Sequence, residues 1–331
     1  MARCLVTSIF VRSAEDPALA PLLRDGHSIE FADPLAVRSE AALAEALQGV
    51  AATLASVEPY TASVLARADA LRVISRTGVG FDAIDVAEAT RRAVVVCTTP
   101  GTNHHAVADL AVALILACAR GTVAAEQLLR SGRWVPAFPG TQLHGATVGV
   151  VGTGLIGREV VKRLAGFEPR LIAYDVVTTP ELTERFRVAY VRFEELLAEA
   201  DFVTLHAPLL PETRNLIDAD ALARMKPTAY LINTARGPLV DEQALVQALQ
   251  AGRLGGAALD VFHTEPLPMD SPLRSAPRLL LTPHIAGSTE QSRVAMTEMA
   301  VENARRVLRG EAPLSCVNPD VLPRRAPSAP L

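Results

Sequence analysis

The chain has 331 residues, of which 50% are hydrophobic, 21% charged and 4% aromatic. That length exceeds one ordinary core and implies two domains, with cores of Ala, Val and Leu, as in parallel sheets covered by helices. The net charge of −4 gives no positive footprint, so neither a nucleic-acid nor a membrane partner is expected.

Apolar strand-like runs alternate with helix-like runs along the chain, the pattern of an α/β fold. CLVTSIF (4–10) reads as the first strand, and the N-terminus shows no long apolar leader with a small-residue cleavage site. Helical PALAPLLRDG (17–26) follows, then strands near 27–31, 51–55, 71–75 and 94–97, which complete a small parallel unit. From Thr98 to Arg133 the pattern is long and mostly helical, ending near Gly132, with Asn103 placed to cap its start. Its apolar stretch, Leu110–Ala119, is far short of the roughly 20 residues that span a bilayer.

A second α/β unit begins at Thr147. Six strands are expected, at 147–152, 171–175, 202–208, 229–234, 256–262 and 278–284. Helical segments at 157–167, 193–200, 218–224 and 241–250 separate most of them, which makes a doubly wound sheet. A last long helix, Thr289 to Leu308, is expected to cross back to the N-terminal unit. The domains then run 1–98, completed by 289–318, and 99–288. Residues 319–331 contain four prolines and are expected to form a disordered tail.

Cys4, Cys97, Cys118 and Cys316 show neither a CxxC pair nor zinc spacing. They read as buried free thiols of a reduced, cytoplasmic compartment. No cluster of His, Cys and carboxylates has the spacing of a metal site, so none is expected.

GTGLIG (152–157) follows an apolar strand and opens a helix. Gly152 permits the tight turn, Gly154 lets the backbone approach a pyrophosphate, and Gly157 allows close helix–strand packing. The helix start at Leu155 and Ile156 offers N–H groups and a positive dipole end to phosphates. Asp175 ends the next strand 21 residues after Gly154, where an acid for the ribose is expected about 20 residues on. Its carboxylate accepts from a 2′-hydroxyl and repels a 2′-phosphate, and no arginine stands beside it. NAD is the expected cofactor.

Further on come Arg236 in NTARG (233–237), Glu265 in DVFHTEP (260–266) and His284 in TPHIAG (282–287). A guanidinium can hold a carboxylate through two N–H bonds. A histidine can pass a proton to a carbonyl oxygen, and a neighbouring carboxylate favours its charged form. Beside a dinucleotide site, this set suits hydride transfer between a nicotinamide and a 2-keto or 2-hydroxy acid.

Together RTGVGFDAID (76–85), GTGLIG with Asp175, LHAPLLPETRNLI (205–217), NTARGPLVDEQAL (233–245), GGAALDVFHTEP (255–266) and LTPHIAGST (281–289) resemble the D-isomer-specific 2-hydroxyacid dehydrogenase family over residues 1–320. The likeness is strongest to its phosphoglycerate dehydrogenase-like members. It implies a flavodoxin-like substrate domain and a Rossmann NAD-binding domain with the active site in a cleft between them, and a homodimer built around the long linker helices. Carried over by motif, Arg236 binds substrate, Glu265 partners the histidine and His284 is the acid/base. Asp260 would hold the nicotinamide carboxamide, and the amides of Val79 and Gly80 the substrate carboxylate. His206, Pro208, Thr213, Thr234, Ala235 and Gly287 would line the cofactor together with Arg236 and His284. Asp109 stands where many relatives carry glutamate and reads as structural, and His104, His105 and His144 carry no clear role.

The substrate acid is less defined. Phosphoglycerate dehydrogenases typically place a basic residue in the loop that here reads LASVEPYTAS (54–63), with Glu58 and no Lys or Arg before Arg67. Arg76 and Asn103 are candidate substrate contacts. No C-terminal regulatory domain is expected. An NAD-dependent D-2-hydroxyacid dehydrogenase is expected, acting on phosphoglycerate, hydroxypyruvate, glyoxylate or another short acid. The alternative is an NADH-sensing corepressor on the same fold. A phosphite oxidoreductase ranks lower, because SRTGVG (75–80) lacks the lysine of those relatives.

Overall fold

The computed structural model describes residues 1–11, 13–137 and 139–322. The chain forms two α/β units, one of Met1–Asn103 with the chain from Thr289 onward, the other of His104–Ser288.

In the first unit, the strands β1 (Arg3–Val6), β2 (Ser28–Phe31), β3 (Ala52–Ala55), β4 (Val73–Arg76) and β5 (Val95–Cys97) alternate with the helices α1 (Ala20–Arg24), α2 (Glu40–Ala46), α3 (Ala62–Leu65) and α4 (Val86–Arg91). All strands are parallel in the order β2-β1-β3-β4-β5, the flavodoxin-like arrangement. Successive strand residues face opposite sides. Leu5, Ala55, Ile74 and Val96 join one buried cluster with α2, α3 and α4. Cys4, Val6, Leu54, Val73 and Val95 join the other, beneath α1 and the final helix. Each fully buried leucine in these layers contributes about 1.5–3 kcal/mol.

The second unit opens with α5 (His104–Arg120) and α6 (Thr122–Arg130), followed by β6 (Thr147–Val151), α7 (Leu155–Leu164), β7 (Arg170–Tyr174), α8 (Pro180–Phe186), β8 (Ala189–Tyr190), α9 (Phe193–Glu199) and β9 (Phe202–Leu205). It closes with α10 (Ala219–Arg224), β10 (Tyr230–Asn233), α11 (Glu242–Gln250), β11 (Gly256–Leu259) and β12 (Leu279–Leu281). Its seven parallel strands run β12-β11-β10-β9-β6-β7-β8. The chain reverses its course across the sheet at β6, so the strand ends of β6 and β9 flank a topological switch point, where such sheets bind ligands. The six expected strands are present, and a seventh, the two-residue β8, was not expected. Its run is too short to show periodicity.

The long helix expected from Thr98 to near Gly132 is two helices, bent by 62° at their junction. Gly121, with φ +57°, takes the left-handed conformation that ends a helix. Ala108, Ala111 and Ile115 of α5 are buried against α7 and the sheet, whereas no residue of α6 is buried. Among the described residues no single helix is long and apolar enough to cross a membrane.

The last helix, α12 (Glu290–Arg309), belongs to the first unit and packs on β3, β4 and β5. Thr289 caps it by accepting from the Ser292 N–H. The first crossing between units lies after Asn103 rather than residue 98, and the Thr99 N–H still bonds the Gly78 carbonyl of the first unit (3.0 Å). The tail expected from 319 does not begin there. Pro319–Val321 form a 3-10 turn with Val321 fully buried, and Asn318 locks the segment to the β5 edge by accepting from the Val96 N–H (2.8 Å). The rest of that expected tail, 323–331, lies outside the described residues.

Cys4 and Cys97 are buried as expected, but Cys118 and Cys316 are only partly so, and all four are free thiols. Burial pushes the Cys4 thiol up to about 11 and the Cys118 thiol up to about 12.

Helices α5 and α7 are tied by an ionic cluster. Glu159 pairs with Arg163 (2.7 Å), Lys162 (2.9 Å) and His105 (3.1 Å), and Arg163 also reaches Asp109 (2.5 Å). Asp109 is thus structural in geometry. Burial acts to raise the Glu159 carboxyl, but the bonds from Lys162 and Arg163 outweigh it and hold the group at about 2, against an ordinary 4.5. A depressed folded pKa gives stability that is present above about 4.5 and lost as pH falls toward 2. Glu159→Gln is therefore expected to lower Tm at pH 6, with the gap to the parent closing on acidification. A gap that stays constant down to the acid limit of folding would contradict this role.

Candidate active site

The glycine loop sits at the end of β6, beside the end of β9. Gly152 has φ +91°, and a Cβ there would lie 2.7 Å from the backbone of His206 and Ala207. A Cβ on Gly157 would lie 2.0 Å from the Gly152 carbonyl oxygen, whereas one on Gly154 would meet nothing within 4 Å. Two glycines thus allow the backbone to close on itself, and the third borders open space at the start of α7. Leu155 is exposed and Ile156 partly so in the first turn of that helix. This arrangement fits a pyrophosphate at a helix N-terminus.

Asp175 directly follows β7. Its Oδ2 accepts from the Thr153 N–H (2.6 Å) and the Thr153 hydroxyl (3.0 Å), and its Oδ1 from the Val177 N–H (3.1 Å). Burial acts to raise this carboxyl, but the Thr153 and Val177 bonds outweigh it and keep the group below its ordinary range. It is a carboxylate at neutral pH, as a ribose-binding acid must be.

Arg236 lies in the turn after β10. The buried Asn233 sets that turn, accepting from the Ala235 N–H (3.0 Å) and donating to the Arg236 carbonyl (2.8 Å). The Arg236 guanidinium donates to the Ala235 carbonyl (2.7 Å). A Cβ on Gly237 would stand 2.0 Å from the Phe262 carbonyl carbon, so only glycine lets this turn touch the segment after β11. That contact brings the Arg236 charge near Glu265.

The Glu265 Oε1 accepts from the Phe262 N–H (3.0 Å), and its Oε2 lies 2.6 Å from the His284 Nδ1. Burial acts to raise the Glu265 carboxyl, but the His284 bond and charge, the Phe262 N–H and the Arg236 charge together hold it below its ordinary range. His284 follows β12 with φ +53°, a left-handed conformation that costs a non-glycine residue free energy. Asp260 holds it there. Its carbonyl accepts from the His284 N–H (2.8 Å), Oδ1 accepts from the Thr282 hydroxyl (2.6 Å) and the Ile285 N–H (2.9 Å), and Oδ2 from the Ala286 N–H (2.8 Å). Burial outweighs these bonds and raises the Asp260 carboxyl. Expected to hold a carboxamide, Asp260 is fully buried here and fastens the histidine loop.

Among the other cofactor-side expectations, His206 follows β9, donates its N–H to the Val151 carbonyl (2.7 Å) and pairs its Nε2 with the Thr204 hydroxyl (2.9 Å). Burial pushes its imidazole down to about 3, so the ring is neutral. Its Nδ1 and the Thr234 hydroxyl are buried polar atoms without a hydrogen-bond partner. The Thr213 hydroxyl is engaged within its own loop by Pro208 (2.7 Å) and Leu210 (2.8 Å). Ala235 is nearly buried, and Gly287 lies in the turn after the histidine. All of these residues stand just beyond the carboxyl ends of β6, β7, β9, β10, β11 and β12.

The first unit carries the remaining candidates at the ends of its own strands. Arg76 ends β4, donates to the Gly80 carbonyl and lies beside Gly78 (3.6 Å from a Cβ there). Val79 in that loop is 40% exposed. Asn103 directly precedes α5. Glu58 is turned inward, 1% exposed, with its Oε2 accepting from the Ser56 N–H (2.8 Å). Burial raises its carboxyl.

Sequence reasoning missed Asn233, Thr153 and Tyr190. Asn233 had a local signal, an Asn at a strand end that can bond its own backbone two residues on. The Tyr190 hydroxyl meets Thr153 across 37 residues of chain (3.0 Å), which no local pattern shows.

A parallel sheet with a glycine loop at its switch point and an ionised acid directly after the next strand defines a dinucleotide-binding domain. Comparison with known proteins narrows the class. Residues 112–286 match the family model of the D-isomer specific 2-hydroxyacid dehydrogenase NAD binding domain. The chain is 42% identical over 275 residues to a glyoxylate reductase of Korarchaeum cryptofilum, covering 82% of this chain and 83% of that one. It is 42% identical over 266 residues to a D-3-phosphoglycerate dehydrogenase of Mycobacterium leprae, covering 80% of this chain but half of that longer protein. The crystal structure of the TT0316 protein of Thermus thermophilus superposes with a TM-score of 0.86 at 40% identity, covering 95% of this chain and 99% of the other. The chain belongs to the D-isomer specific 2-hydroxyacid dehydrogenase family. It is an NAD-dependent enzyme that transfers hydride reversibly between NAD(H) and a small 2-hydroxy or 2-keto acid.

Proposed function

We propose that the chain reduces a short 2-keto acid of the glyoxylate or hydroxypyruvate type, with His284 as acid/base. The 2.6 Å contact between the His284 Nδ1 and the Glu265 Oε2 carries this reading. It assigns Nδ1 to the carboxylate and leaves Nε2 to face a substrate oxygen. Bound NADH supplies the hydride that reduces the keto carbon. The His284 Nε2–H gives its proton to the carbonyl oxygen as negative charge builds there, and takes it back in the oxidising direction. Glu265 balances the imidazolium charge. Arg236 binds the acid and stabilises the growing oxyanion. Gly152, Gly154, Leu155, Ile156 and Gly157 hold the pyrophosphate, and Asp175 holds the adenosine ribose.

The relatives' names support both glyoxylate and 3-phosphoglycerate as substrate classes. The segment 54–63 holds the buried Glu58 and no Lys or Arg, which supports the smaller acid. A homodimer is supported by the exposed Val123, Leu129, Trp134 and Val135 on and after α6. The four free thiols support a cytoplasmic setting.

The test is NADH oxidation by purified protein with glyoxylate, hydroxypyruvate, pyruvate and longer 2-keto acids, and with 3-phosphoglycerate plus NAD in reverse. Turnover is expected with the short keto acids and, with NAD in reverse, at least tenfold less kcat/KM for 3-phosphoglycerate than for D-glycerate, as for a charge left unpaired in the site. Silence across the panel with NADH still bound would overturn this reading in favour of an NADH-sensing corepressor.

A further inference from the structure

Tyr190, on the short edge strand β8, is a link in a directed hydrogen-bond chain. The Thr179 N–H donates to the Tyr190 hydroxyl (3.0 Å), which donates to the Thr153 hydroxyl (3.0 Å), which donates to the Asp175 Oδ2 (3.0 Å). The Thr153 N–H adds a second bond to the same oxygen (2.6 Å). Each donor in such a chain polarises the next, and the last ends on a charge. Thr153 is the residue between the first two glycines of the loop and is 2% exposed. The chain therefore joins three things: the glycine loop, the acid after β7 and the sheet edge.

We propose that Tyr190 and Thr153 are positioning residues that set the preference for NADH over NADPH by fixing the orientation of the Asp175 carboxylate. This inference rests on Asp175 as the ribose acid. A carboxylate oxygen has room for about two donors. Oδ2 is filled by Thr153, so Oδ1, which accepts from Val177, is the oxygen with capacity left for a ribose hydroxyl. A carboxylate held this way presents one fixed charge where a 2′-phosphate would have to sit. Without the hydroxyl relay it can rotate about its side-chain bonds, and both the ribose contact and the repulsion weaken.

The test compares kcat and KM for NADH and NADPH in the parent, Tyr190→Phe, Thr153→Val, Thr153→Ser and Asp175→Ala, with thermal melts of each. Tyr190→Phe removes only the hydroxyl, and Thr153→Val keeps the branched shape and the backbone bond. Each is expected to lower the NADH-to-NADPH selectivity by roughly three- to tenfold, the scale of one hydrogen bond, with the change in KM rather than kcat. Thr153→Ser, which keeps the hydroxyl, is expected to behave like the parent. Asp175→Ala is expected to lose more selectivity than either. If Asp175→Ala loses selectivity while Tyr190→Phe and Thr153→Val keep it, even with lower Tm, the relay is structural only and the inference fails. If Asp175→Ala leaves selectivity unchanged, the reading of Asp175 fails and this inference falls with it.

Discussion

Replacing His284 by Ala is expected to lower kcat by roughly 100-fold or more, the scale of a lost general acid–base, while NADH binding stays near that of the parent. The fold should survive, because the ring is about half exposed and its bonded side chain among the described residues is Glu265. The backbone at 284 is a separate matter. With φ +53° it sits where an alanine is strained by about 1 kcal/mol or more. His284→Asn removes this ambiguity, since Asn tolerates the left-handed region and can still bond Glu265 yet cannot shuttle a proton at neutral pH. Both variants are expected to lose kcat alike. A His284→Asn enzyme with near-parental kcat would remove His284 from the chemistry.

Gly157→Ala is expected to cost both stability and cofactor. Its Cβ would lie 2.0 Å from the Gly152 carbonyl oxygen, a backbone atom that cannot swing aside. Either α7 withdraws from the strand end or the glycine loop opens, and both move the N–H groups aimed at the pyrophosphate. Overpacking of this kind costs about 3 kcal/mol, on the order of 6–12 °C in Tm for a unit this size. The Kd for NADH is expected to rise by roughly tenfold or more, the factor that about 1.4 kcal/mol of misplaced phosphate contacts gives. Gly154→Ala provides the contrast. Its Cβ would meet nothing within 4 Å of the protein, so Tm should hold while NADH binding weakens, because the methyl enters the space left for the phosphates. A Gly154→Ala variant that binds NADH like the parent would place the pyrophosphate elsewhere.

Much of this fold is legible because its strands are buried on both faces and therefore read as unbroken apolar runs, VVC and GAAL among them. The glycine loop and Asp175 are legible for a related reason: the turn, the close approach and the acid each require a residue type at a set spacing. The misses share a cause as well. The two residues of β8 are too few to carry a period. Gly121 lies between two helical patterns in one apolar stretch, and its φ of +57° is needed only because the chain turns there. In both cases the conformation is set by the surrounding fold, which spacing along the chain does not encode.

The most direct measurement is NAD reduction by the purified protein with D-glycerate and, separately, L-glycerate, followed at saturating NAD. The account predicts NADH formation with the D isomer and none above background with the L isomer, abolished by His284→Asn. Turnover of the L isomer, or of neither across the accessible pH range while NADH still binds, would contradict it.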